Sequence, residues 1–375
     1  MERHIKALLT ELNHLPTHKG VQEEIQAYYY HSQAVVDDLM WFLPSIPEAQ
    51  EIVVVPDGPL SLLPFGMLAV DQKSDQSNWR QLTYALERFR FRYGLSGTLL
   101  IRGGRANIPR MSLRDVKKSD VPDPPPSLAM APQGEEMEKG MEKGLNFSLF
   151  GSIGNFRSLR DADGSLPFSS REVQEVARHF DGQYFTGKEA SKAAFGDATQ
   201  GSLNVIHLAM HATAEDSVGL FFADGFLHDY EMYGMDMEAE LAVLSACGTG
   251  LGEVLHGEGI MSISRAFQYA GCDNVVMSLW DVDDQASAHL MEYFYTHLAE
   301  GLGKSEALRR AQLDYLEKGG PGHPSFWGAF VIYGDNDPVQ VGKADDTQRA
   351  TVGWMALFGL VLAASVWWLK KGKVY

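Results

Sequence analysis

A histidine and a cysteine, each closing an apolar run, are the residues of this chain whose types and positions suit nucleophilic chemistry. His211 ends Val205-Ile206-His207-Leu208-Ala209-Met210-His211, and Cys247 ends Leu241-Ala242-Val243-Leu244-Ser245-Ala246-Cys247, with Gly248-Thr249-Gly250 behind it. Both runs are short, continuous and aliphatic, which predicts strands buried on both faces of a parallel sheet. Ligand and catalytic groups collect at the carboxyl ends of such strands, so the two side chains are expected at one edge. A thiol of ordinary pKa, about 8.5, is mostly protonated at neutral pH, and an adjacent imidazole supplies the base that makes the thiolate. Glycines behind the cysteine permit a sharp turn that leaves backbone N–H groups free for an oxyanion. In this reading Cys247 is the nucleophile, and His211 is first the base and then the acid that protonates a leaving amine. The N–H groups of Ala212, Cys247 and Gly248 form the oxyanion hole.

Further segments surround the pair: Pro56-Asp57-Gly58, Leu63-Pro64-Phe65, Gly257-Glu258-Gly259-Ile260, Ser264-Arg265-Ala266-Phe267, Ser278-Leu279-Trp280-Asp281-Val282-Asp283-Asp284, Ala307-Leu308-Arg309-Arg310-Ala311-Gln312 and Pro324-Ser325-Phe326-Trp327-Gly328-Ala329-Phe330-Val331. In order and spacing, across roughly residues 50 to 335, they resemble the CHAT-domain family of caspase-related cysteine peptidases. The resemblance implies an α/β fold, a caspase-like α/β/α sandwich with a mostly parallel central sheet, and a cysteine endopeptidase with a His211–Cys247 dyad. Two positions depart from the family's pattern, Ala212 where glycine is common and Gly248 where a larger polar residue is common. Both keep the backbone donor and alter the shape of the oxyanion hole, because alanine cannot adopt glycine's positive-φ conformations at equal cost.

The candidate substrate-binding carboxylates are Asp281, Asp283 and Asp284. An acidic pocket selects arginine or lysine, and a carboxylate grips guanidinium bidentately. Separase, a relative by this resemblance, uses an aspartate in this region for arginine. The other role open to these acids is to cap the helix that follows. Family members commonly receive their activating signal from helical repeats or partner proteins, which implies a protein activator here and, by analogy, a bacterial defence or cell-death setting. Two alternatives stay open: a membrane-anchored caspase-fold scaffold without proteolysis, against which the retention of His211 and Cys247 stands, and an acyl-transferring or ester-cleaving enzyme using the same dyad.

Other chemistries find little support in the residues. His207, His211 and Cys247 could share a metal only if the two histidines lay on a helix, whereas their segment reads as strand and lacks the glutamate of the zincin motif; no metal and no cofactor is expected. Gly248, Gly250, Gly252 and Gly257 fit neither the dinucleotide nor the phosphate-loop spacing. A net charge of −17 without a basic stripe argues against a nucleic-acid surface. With two cysteines in 375 residues and one of them assigned, a reducing compartment fits, and Cys272 reads as a small buried residue at the start of a strand.

Elements must hold these groups in place. Residues 1–48 read as a helical extension, with Ile5, Leu8, Leu9 and Leu12 at helical spacing and a second run from Val21 to Phe42. Residues 49–340 form the protease domain, opened by the strand Ile52–Val55; Phe89-Arg90-Phe91-Arg92-Tyr93 alternates as an edge strand does. Residues 102–146, with a proline cluster and repeated Met-Glu-Lys-Gly, read as a flexible insertion, and Leu149–Ile153 restarts a strand. Ser169-Ser170-Arg171-Glu172 carries a capping pattern for a helix through Phe180, and Lys304–Leu316 is helical. After a linker at 341–350, residues 351–370 are uncharged until Lys370 and flanked by Trp354, Trp367 and Trp368, as a single membrane-spanning helix would be. The lack of a signal peptide at Met1–Lys6 favours a cytoplasmic catalytic domain.

Overall fold

The computed structural model describes residues 1–12, 21–40, 47, 50–72, 78–95, 127–131, 168–213, 218–245, 253–255, 259–261 and 263–339. The chain divides into two units, Met1–Val341 and Gly342–Tyr375. The second unit, with the span predicted at 351–370, lies outside the described residues, among which no helix is long and apolar enough to cross a membrane.

Eight strands form the central sheet: β1 (Glu51–Val54), β2 (Arg90–Tyr93), β3 (Ser127–Ala131), β4 (Gly182–Thr186), β5 (Leu203–Leu208), β6 (Ala239–Leu244), β7 (Val275–Ser278) and β8 (Phe330–Tyr333). Their order across the sheet is β1-β2-β8-β7-β6-β5-β3-β4. Every neighbouring pair is parallel except β7–β8, so the sheet is mostly parallel, as expected. The residues of β5, β7 and β8 are buried throughout, and β6 is buried at all but Glu240. Strands of Leu, Val, Ile and Ala sit at the sheet's centre because burying each aliphatic side chain contributes about 1.5–3 kcal/mol, and covering both faces claims every position.

Helices supply that cover. The helices are α1 (Glu2–Leu12), α2 (Val21–Leu39), α3 (Ser169–His179), α4 (Ile263–Ala270), α5 (Asp284–Ala299) and α6 (Lys304–Glu317); from α3 onward they fall between strands as the sequence predicts, except that α5 and α6 follow one another directly. On one face α5 packs against both α3 and α6. The short helix Lys192–Ala198 packs near α4, where Phe195 meets Phe267 with ring centroids 6.4 Å apart. The pair α1 and α2 buries Ile5, Leu8, Leu12, Ile25, Tyr28 and Val35. Tyr28 donates to the Met67 carbonyl at 2.8 Å and Gln33 to that of Ala69, which ties the helical extension to the segment following β1.

Three expectations need correction. The stretch 102–146 holds an inner strand of the sheet, β3, paired with β4 along its length and with β5 from Leu128 to Met130; its small residues Ser-Leu-Ala-Met-Ala carry a weak strand signal next to the proline cluster. The arginine-alternating strand β2 lies one place in from the edge. Its polar positions are covered, since Arg92 donates to Glu51 at 2.9 Å and to the Gly334 carbonyl at 2.8 Å. Helix α3 has no serine N-cap: Phe168 holds that position without a side-chain cap, and its N–H donates to Asp284 at 2.7 Å. Glu172, the capping glutamate of the sequence pattern, is buried instead, 3.2 Å from His207. The strand expected at Leu149–Ile153 lies outside the described residues.

His323 closes the segment before β8. Its Nδ1 accepts from the Ser325 N–H at 3.2 Å and lies 2.7 Å from the Ser325 hydroxyl, while its ring meets Trp79 edge-on at 4.4 Å. Burial lowers its pKa from the ordinary histidine value to about 4. The folded chain therefore binds this proton less readily than the unfolded chain, and stability is lost as pH falls from about 6.5 toward 4. Between pH 7.5 and pH 5 the loss at this residue is about 2 kcal/mol. Denaturant unfolding of the chain and of His323→Asn, which retains a capping oxygen, checks this: the variant should lose about 2 kcal/mol less over that interval, and an equal loss in both would contradict the assignment.

Candidate active site

The carboxyl ends of β3, β5, β6 and β7 form one edge of the sheet. In register, Met130 of β3 pairs with Leu208 of β5, Leu208 with Leu244 of β6, and Leu244 with Met277 of β7. His211 follows Leu208 by three residues and Cys247 follows Leu244 by three. Beyond β5 the Ala209 N–H donates to the Met130 carbonyl at 2.8 Å, holding the chain to the sheet. At His211 the chain leaves for a small antiparallel sheet of Ala212–Thr213, Gly219–Phe222 and Gly225–His228. The His211 carbonyl accepts from the Phe221 N–H at 3.0 Å, and its side chain is buried. Ala212, the expected oxyanion donor of this strand, is half-buried and pairs with Leu220. Cys247 and Gly248 lie outside the described residues.

Ser245, the last described residue before that segment, reaches the Ser287 hydroxyl at 2.7 Å. Ser287 stands in the first turn of α5 and its N–H donates to the Asp283 carbonyl at 2.9 Å. This clasp joins the end of β6 to the segment carrying the three candidate acids. Asp283 caps α5, its carboxylate accepting from the Ala286 N–H at 2.9 Å. Asp284 accepts from the Phe168 N–H, as above. Asp281 follows Trp280, whose indole donates to the Ser325 carbonyl at 3.1 Å. All three aspartates are half-buried at the carboxyl edge. The sequence pattern raised the capping role of these acids; what it could not reveal is the Ser245–Ser287 contact and the Phe168 anchor, which join residues far apart in the chain.

His207 has the packed role expected for it. It is fully buried, with Nδ1 2.8 Å from the Tyr295 hydroxyl. Burial pushes the Tyr295 phenol well above its ordinary range, with the Glu172 charge adding to the shift. The phenol thus keeps its proton and shares a buried hydrogen bond with Nδ1, while Nε2 faces Glu172. Nε2 and Glu172 Oε2 lie 3.2 Å apart without making a hydrogen bond to each other, so the contact is one of close approach and not of a directed bond. Cys272 is buried and bridges Ala239, just ahead of β7. Among the described residues no group of three or more His, Cys, Asp or Glu side chains could hold a metal ion.

Comparison with known proteins places this geometry in a family. Residues 22–335 match the CHAT domain, a match that begins inside α2. Tetratricopeptide repeat protein 28 of Mus musculus and of Homo sapiens are each 30% identical to the chain over 106 residues, which is 28% of this chain and 4% of theirs. The chain thus spans only a small part of these curated relatives. Among solved structures, the complex of the RgpB pro- and mature domains of Porphyromonas gingivalis is similar with a TM-score of 0.48 at 10% identity, covering 90% of this chain and 77% of that one. The Saccharomyces cerevisiae separase–securin complex is similar with a TM-score of 0.41 at 15% identity, covering 75% of this chain and 15% of that one. With the family match extending over most of its length, the chain belongs to the CHAT-domain family.

Proposed function

We propose that this chain is a cysteine endopeptidase in which His211 activates Cys247. The observation that carries the reading is the pairing of Leu208 with Leu244, since the two reactive residues follow these partners by equal numbers of positions. Three residues of chain reach at most about 11 Å, which is compatible with both groups lying at one edge of adjacent strands. In the reaction, the imidazole takes the thiol proton, the thiolate adds to the scissile carbonyl, and backbone N–H groups from Ala212, Cys247 and Gly248 bind the oxyanion. His211 then returns the proton to the leaving amine, and water releases the acyl group from Cys247 with the imidazole again acting as base.

Specificity for arginine or lysine is the finer part of the proposal. Asp281, Asp283 and Asp284 bring negative charge to the same edge, and the cap made by Asp283 uses one of its carboxylate oxygens, which leaves the other as an acceptor. A protein activator fits a chain whose curated relatives are named for tetratricopeptide repeats. Residues 351–370 would anchor the enzyme in a membrane, with the catalytic domain on the cytoplasmic side, and a defence or cell-death role is the setting in which an anchored, gated protease is useful.

Cleavage of a diverse peptide library should occur after Arg or Lys, and Cys247→Ala or His211→Ala should each reduce it by about 10³-fold or more. Cleavage after other residues would discard the acidic pocket. Activity unchanged in Cys247→Ala would contradict the thiol mechanism. In fractionated cells, the full chain should stay with membranes after alkaline carbonate extraction, and truncation before Val352 should release it; recovery of the full chain in the soluble fraction would remove the anchor.

A further inference from the structure

The first described structure downstream of Cys247 is a hairpin, and a single turn from a distant part of the chain lies against it. The hairpin's strands, Glu253–Leu255 and Gly259–Met261, pair antiparallel from Glu253–Met261 to Leu255–Gly259, and α4 follows at Ile263. Both strands pack against the 3₁₀ turn Gly58–Leu62, which also meets α1. A two-stranded hairpin is marginally stable by itself in water, so the place of this one depends on what it packs against.

The turn is a firm base. Gly58 opens it with a φ of +56°, a left-handed conformation that other residues adopt less readily. The Leu63 N–H closes it by donating to the Leu60 carbonyl at 3.1 Å. Tyr93, at the end of β2, ties it to the central sheet: its hydroxyl accepts from the Phe65 N–H at 2.8 Å and donates to the Leu63 carbonyl at 3.4 Å. Within this turn Ser61 is 1% exposed, yet its hydroxyl has no hydrogen-bond partner among the described residues. A hydroxyl withdrawn from water without a partner lowers stability, and native folds seldom leave one so. Alanine at this position would bury no such group.

We propose that Ser61 is a positioning residue for the cleavage reaction, its hydroxyl donating to a backbone carbonyl of the hairpin when substrate is bound. The inference rests on the reading of Cys247 as the nucleophile. The bond fixes the strand pair that follows the nucleophile to a turn already anchored on β2, and the proton stays on Ser61 Oγ throughout. Because the bond is made in the bound state and not in the resting fold, it acts on kcat and leaves the stability of the free enzyme unaided.

Ser61→Ala in the full chain separates this role from a structural one. The midpoint of denaturant unfolding should be unchanged or higher, because the resting fold loses no bond. For a peptide cleaved by the wild-type chain, kcat should fall about five- to tenfold, with KM within about twofold. A lowered midpoint would mean that the hydroxyl is already bonded in the resting fold, to protein or to water, and would overturn the proposal. An unchanged kcat, or an effect on KM alone, would overturn it too. Cys247→Ala is measured alongside. Cleavage lost in Cys247→Ala but equal to wild type in Ser61→Ala sinks this inference alone. Cleavage that persists in Cys247→Ala, or a wild-type chain that cleaves no peptide, sinks the thiol reading and this inference with it.

Discussion

Parallel pairing of β5 with β6 is the constraint on which the rest of the molecule depends. Leu203 to Leu208 run beside Ala239 to Leu244 in fixed register, and both strands are buried on two faces. A slip by one residue would turn every side chain to the opposite face, and neither face has room for that exchange. The register therefore follows from packing and in turn sets where the chain leaves the sheet, just beyond Leu208 and Leu244. The geometry of the candidate site is inherited from the hydrophobic core.

Polar contacts hold the rim to this frame. The Ser245–Ser287 contact joins the end of β6 to the first turn of α5. Asp283 closes that turn and Asp284 reaches across to the start of α3. Beneath them, Tyr295 of α5 and Glu172 of α3 converge on His207 of β5. Three elements are thereby fixed to one another by groups that would be costly to bury singly, since a polar group removed from water without a partner costs about 1–3 kcal/mol. The same aspartates are the carboxylates proposed to meet a basic substrate side chain.

Much of this was legible in the residues, for reasons that differ from element to element. The strands β5 and β6 declare themselves because full burial removes the need for polar alternation, leaving continuous aliphatic runs. Helix α6, expected from Lys304 to Leu316, ends one residue later at Glu317. Strand β3 was hidden: Ser-Leu-Ala-Met-Ala has too little bulk to signal a strand, and its burial comes from neighbours far away in sequence. Strand β2 reads as an edge because its arginines alternate, yet Glu51 and the Gly334 carbonyl, remote in the chain, satisfy Arg92 inside the sheet. Glu172 reads as a capping residue and serves as a buried partner of His207. Local pattern reports what a side chain can do, and only the fold decides which of its options is used. Cys247, Gly248 and the tail lie outside the described residues, so their roles rest on the sequence and the family.

The central claim, that His211 makes Cys247 a nucleophile, is tested most directly by the pH dependence of iodoacetamide alkylation at Cys247, followed by mass spectrometry with buried Cys272 as the unreactive reference. The account predicts a reactive thiolate with an apparent pKa well below the ordinary value of about 8.5, returning to that value in His211→Ala. The same profile in both proteins would contradict it.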